Sequence, residues 1–193
     1  MRIIDQTRLP HEFVVLDLEN VEQMAEAIQV MRVRGAPLIG ASAAYGVALA
    51  MNVSPSDENL AAAIEALGRT RPTAVNLHWA LADMKDCLAP LAPDQRVEAA
   101  YRRAAEICDE DTDINRRIGE HGLPLIEAAA RDKKPGESVN VLTHCNAGWL
   151  ATVDWGTATS PIYQAHDAGI SVHVWVDETC LLYTSPSPRD PWK

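Results

Sequence analysis

The chain reads as an α/β protein in which a mainly helical N-terminal domain, 1–131, with a small β element, precedes the start of a parallel-sheet domain, 137–179. Three observations predict this. Through most of the first domain apolar residues recur at three- and four-residue spacing, the period of helices packed on a core. The run Asp132-Lys133-Lys134-Pro135-Gly136-Glu137 is charged and turn-rich, as domain boundaries are. After it, two short β-branched runs flank a helix-length segment, the pattern of one β-α-β unit.

Taken in order, Ile3-Ile4 and the segment 13–18 read as strands on either side of Leu9-Pro10-His11, whose proline has no N–H for a central ladder. Asn20 precedes Val21-Glu22-Gln23 as an N-cap with its N3 partner. Val21, Met24, Ala25, Ile28 and Met31 then share a helical face that leads to Arg34. Over 36–50 nearly every residue is small or apolar. Such a helix has no solvated side, yet it is short for a bilayer span and is expected inside the protein. Ser54-Pro55-Ser56-Asp57 opens the next helix, with a stripe of Leu60, Ile64 and Leu67 and an end at Gly68. A loop carrying Arg69 and Arg71 leads into a helix over 74–88, where Leu77, Leu81, Met84 and Leu88 lie on one side. Ala92-Pro93-Asp94 starts another, with Val97, Tyr101, Ala104 and Cys108 in period, and its far end meets the acidic run Asp109-Glu110-Asp111-Thr112-Asp113. Asp113 is expected to cap a separate helix, broken or kinked near Gly122-Leu123-Pro124 and continuing to Arg131. Beyond the boundary come a strand over 138–142, a helix over 157–168, a turn at Gly169 and a strand over 171–176.

Composition narrows the partners. A formal net charge of −10 argues against nucleic acid or an anionic membrane, and an anionic small molecule would need a local arginine pocket. Cys87, Cys108, Cys145 and Cys180 are widely spaced and form no zinc-binding pattern, so no metal is expected and they read as reduced thiols. The first residues hold no apolar signal-peptide core, which points to a cytoplasmic protein. Gly148 and Gly156 lack the G-x-G-x-x-G spacing, so no dinucleotide cofactor is expected.

Chemistry has a candidate position in the run from Val141 to Leu150. A buried strand ending near Leu142 puts Cys145 and Asn146 at its carboxyl end, where open α/β sheets place ligands. Spacing alone equally describes Cys145 as a small buried hydrophobe. His144 sits beside it, but neighbours on an extended strand point to opposite faces, so His144 is expected in the core or in a supporting role. Trp149 and Trp155 suit either a pocket wall or the core. Arg34-Gly35-Ala36 opens a helix, where free N–H groups and the helix dipole favour an anion and arginine adds a planar donor fork. It also suits a surface arginine beside a turn. Arg69 and Arg71 are alike in this respect.

Thr143-His144-Cys145-Asn146-Ala147-Gly148 followed by 152–158, together with 33–40 and Arg71-Pro72-Thr73-Ala74-Val75-Asn76-Leu77, closely resembles the methylthioribose-1-phosphate isomerase family, which is related to the alpha, beta and delta subunits of initiation factor 2B. The resemblance runs from about Ile4 to Thr179. It implies a Rossmann-like second domain and isomerisation of a sugar phosphate to its ketose without redox cofactor or metal. It also implies catalysis by Cys145, substrate binding by Arg34, Gly35, Ala36 and Arg71, and a homodimer. Relatives pair the cysteine with an aspartate on a later strand, and none of Asp154, Asp167 or Asp177 belongs to that motif. Sister isomerases acting on ribose 1,5-bisphosphate or 5-deoxyribose 1-phosphate, and a non-catalytic initiation factor 2B-like subunit, are the alternatives. The segment 180–193, rich in proline and small polar residues, reads as a non-native tail resembling a translated sequencing adaptor. One crossover leaves both sheet edges open, so the polypeptide as written is expected to be a truncated, inactive fragment.

Overall fold

The all-apolar stretch after Arg34 lies at the centre of the N-terminal packing in a computed structural model, which describes residues 1–177. The expected tail, 180–193, and the last two positions of the expected second domain lie outside the described residues. Packing divides the chain into two units: Met1–Thr112 with Leu150–Val153, and Asp113–Trp149 with the chain from Asp154 onward. The division thus falls at Thr112–Asp113, whereas the sequence places the domain boundary in the 132–137 loop.

In the first unit, β1 (Arg2–Ile4) and β2 (Val15–Asp17) pair antiparallel, Ile3 opposite Leu16. Helix α1 (Val21–Gln29) starts where Asn20 accepts a hydrogen bond from the Gln23 N–H, and the Gln23 side chain accepts in turn from the Glu19 N–H. One orphan donor of the first turn and the N–H just before the cap are thereby paired. Helix α2 (Ala36–Val53) is long and apolar enough to cross a membrane by length and composition alone. It packs instead against α1, α3 (Asp57–Gly68) and α4 (Val75–Leu88), with Ala43, Ala44, Val47, Ala48 and Met51 fully enclosed. Each large buried side chain contributes roughly 1.5–3 kcal/mol. A small-residue stripe allows this closeness: a Cβ on Gly40 would stand 3.0 Å from the Asn76 carbonyl oxygen of α4.

Helix α5 (Pro93–Arg131) corrects one expectation, because it is a single uninterrupted helix through both the acidic run and Pro124. The acidic side chains are neutralised locally. Arg103 binds Glu106, Glu110 and, from α4, Asp83. Arg116 binds Asp113 and Glu120. Asp111 accepts from the Val153 N–H at 2.8 Å. Charges that would repel if left alone thus become the helix's partners. At the other end Arg96, only 3% exposed, donates to the carbonyls of Leu88, Leu91 and Pro55 and so holds the α4–α5 turn.

The second unit holds a two-stranded parallel sheet, β3 (Val139–His144) with β4 (Val172–Asp177), joined by α6 (Ser160–Asp167). The strand order and the parallel pairing agree with the expected β-α-β unit, although α6 begins three residues later than the sequence suggests. Val139, Ala165 and Ile126 form a small core on one face. Leu142 and Trp175, paired across the sheet, are exposed on the other.

Candidate functional site

The backbone at the tip of β3 turns sharply. Cys145, the first residue after the strand, has φ +62°, a left-handed conformation that costs an L side chain free energy, and its N–H donates to the Asp177 carbonyl at 2.7 Å. The thiol side chain is exposed rather than packed as a core hydrophobe. Below it opens a cleft of about 330 Å³, lined by Thr143, Cys145, Asn146, Ala147, Gly148, Thr159, Ile162, Tyr163, Val174 and Val176. Strand tips and the first turn of α6 therefore form its walls. Gly156, at φ +74°, seals the loop: a Cβ there would stand 2.6 Å from the Gly148 backbone, so only glycine lets the two segments meet.

His144 faces away, as adjacent strand residues must, and its Nδ1 lies 3.1 Å from an Asp177 carboxylate oxygen. It is exposed, which removes the core position from the two expected for it, core or a supporting role. Neither Trp149 nor Trp155 lines the cleft. Thr143, Thr159 and Tyr163 do, and sequence reasoning overlooked them. The available signal was that Thr143 stands two residues before Cys145, on the same side of an extended chain.

In the first unit, Arg34 and Arg71 lead into neighbouring helix N-termini, since the first turn of α4 lies against α2 at Gly40. Neither α2, capped by Gly35, nor α4, capped by Ala74, receives a side-chain cap, so first-turn N–H groups stay open to an anion. Gly35 has φ +88° and ψ 139°, and Ala151 packs so closely that a Cβ there would overlap its backbone at 2.4 Å. The two arginines left equivalent by sequence differ here. Arg69 is exposed and ion-paired with Glu65, whereas Arg71 has a buried Nη1 with no partner among the described residues. The candidate residues thus fall into two groups: Arg34, Gly35, Ala36 and Arg71 together on the first unit, and Cys145 with its cleft on the second. Among the described residues no group of three or more His, Cys, Asp or Glu is arranged to hold a metal ion.

The chain resembles known proteins over most of its length. The chain is 61% identical to methylthioribose-1-phosphate isomerase of Rhodospirillum rubrum, covering 92% of this chain and 46% of that protein. It is 63% identical to the Cereibacter sphaeroides protein of the same name, covering 93% and 49%. The chain therefore spans about half the length of the curated relatives it matches. Among solved structures, 5-methylthioribose 1-phosphate isomerase from Pyrococcus horikoshii superposes with a TM-score of 0.77 at 40% identity, over 90% of this chain and 49% of that one. The delta subunit of translation initiation factor eIF-2B from A. fulgidus does so with 0.77 at 38% identity, over 91% and 51%. A family sequence profile also matches the chain. That profile matches residues 32–180, from just before Arg34 past the Cys145 loop, and the chain belongs to the Initiation factor 2 subunit family.

Proposed function

We propose that the chain carries the thiol and the phosphate-gripping elements of an aldose–ketose isomerase that interconverts 5-methylthioribose 1-phosphate and 5-methylthioribulose 1-phosphate in methionine salvage. The single observation that supports it most is the exposed Cys145, held left-handed at a strand tip over a cleft, in a chain about 60% identical to proteins of that name. The β-α-β unit around it is the opening of a Rossmann-like domain, and the complete protein is a cytoplasmic homodimer.

Phosphate on the anomeric carbon blocks the free aldehyde that ordinary aldose isomerases use, so the ring must be opened on the protein. Afterwards either a proton leaves C2 through an enediolate-like species or a hydride shifts from C2 to C1. Cys145 handles the proton near these carbons. Arg34 and Arg71, with the open N–H groups of α2 and α4, hold the phosphate by charge-assisted hydrogen bonds. The unsatisfied Arg71 Nη1 supports this role, because an unpaired buried guanidinium N–H is costly without a ligand.

Turnover of 5-methylthioribose 1-phosphate by the full-length protein tests the proposal. Cys145→Ala should lower kcat by roughly 10²–10⁴-fold with KM little changed. Arg71→Ala should raise KM about tenfold or more. Normal turnover by Cys145→Ala would remove the mechanism. A second reading, a non-catalytic subunit of an initiation factor 2B-like assembly, is favoured only by the equal fit to the eIF-2B delta subunit. It expects no turnover and stable association with other subunits of that type.

A further inference from the structure

The floor of the Cys145 cleft holds a polar atom that packing does not explain. Thr143 is buried at 8% exposure, lines the cleft, and its Oγ1 has no hydrogen-bond partner among the described residues. The other threonine on that wall differs in this respect: Thr159 already donates to the Trp155 carbonyl at 3.0 Å. Around Thr143 the lining is apolar, with Ile162, Val174 and Val176, the last being the cross-strand partner of Thr143. Valine has nearly the same shape, a strong strand preference and no hydroxyl to desolvate, so it would serve this position better if packing were the whole purpose. Threonine is favoured there only when something in the cleft accepts from, or donates to, its hydroxyl.

We propose that the Thr143 hydroxyl is a substrate-binding group, donating a hydrogen bond to an oxygen on the sugar carbons that lie beside the Cys145 thiol. This rests on the isomerase reading above. A polyhydroxylated sugar phosphate supplies the acceptor, and the surrounding apolar wall keeps water from competing for the donor. The bond therefore discriminates between a sugar bearing that oxygen and a deoxy analogue lacking it.

Thr143→Val and Thr143→Ser in the full-length protein test the assignment, with two readouts: kcat/KM, and protection of Cys145 from iodoacetamide by 5-methylthioribose 1-phosphate. Valine should lower kcat/KM about 10–100-fold and weaken protection to match, while serine stays within about threefold of the parent. The thermal midpoint of the ligand-free valine variant should not fall, which separates a binding role from a structural one. The inference is overturned if the valine variant keeps the parental kcat/KM and protection, or if serine falls as far as valine. If the full-length parent shows neither turnover nor protection, the isomerase reading fails and takes this inference with it. A protected parent with an equally protected valine variant removes the Thr143 assignment alone.

Discussion

Gly35→Ala should be among the most damaging single-methyl additions in this chain. Two costs add. The first is conformational: Gly35 sits at φ +88° and ψ 139°, outside the region an L residue tolerates, which costs about 1–3 kcal/mol. The second is steric. The new Cβ would lie 2.4 Å from the Ala151 Cα and carbonyl oxygen and 2.5 Å from its Cβ, and backbone cannot swing aside as a flexible side-chain end can. Overpacking of this kind adds about 1–3 kcal/mol. Gly136→Ala supplies the control, since Gly136 has φ +86° and nothing within 4 Å of the added carbon. It carries the conformational cost without the clash. Urea denaturation followed by far-ultraviolet circular dichroism should place Gly35→Ala about 1–3 kcal/mol below Gly136→Ala. In a thermal scan this is on the order of 2–12 °C. Equal losses in the two variants would show that the 150–153 segment does not press on Gly35, and the reasoning would fail.

Three further outcomes are expected. Arg96→Ala removes a buried guanidinium that donates to the carbonyls of Leu88, Leu91 and Pro55 and should cost about 3 kcal/mol in the same denaturation assay; Arg96→Lys should recover little, because one ammonium nitrogen cannot span acceptors that the guanidinium reaches from three separate nitrogens. Burial pushes the Cys108 thiol up from 9.0 to about 11, assisted by Asp111 and Asp109, while Cys145 is exposed. Iodoacetamide at pH 8, read by peptide mass spectrometry, should therefore modify Cys145 well before Cys108. The sign for stability follows: a raised value means the fold holds the proton more tightly. This contribution is complete below about pH 9 and is lost as pH rises through about 11, and Cys108→Ala should flatten that alkaline decline.

Local rules made much of the first unit legible. Asn20 and Gln23 mark the start of α1, Ser56 and Gly68 bracket α3, and the uniformly apolar 36–50 segment could only be a buried helix or a membrane span. The continuous α5 was not legible in the same way. A five-residue stretch with four carboxylates and a downstream proline reads as a break when each residue is weighed alone. The helix continues because Arg103 gathers Glu106, Glu110 and the distant Asp83, and because Asp111 finds the Val153 N–H.

The candidate site divides similarly. That arginines precede two helices, and that a cysteine follows a strand, is written in residue order and local periodicity, since both depend on neighbours only a few positions away. Which arginine is already neutralised, which thiol faces solvent, and that Thr143 is enclosed without a partner were decided by the tertiary structure. Ion pairing, burial and cleft formation depend on side chains that meet from positions far apart in the chain, and no local spacing rule encodes those meetings.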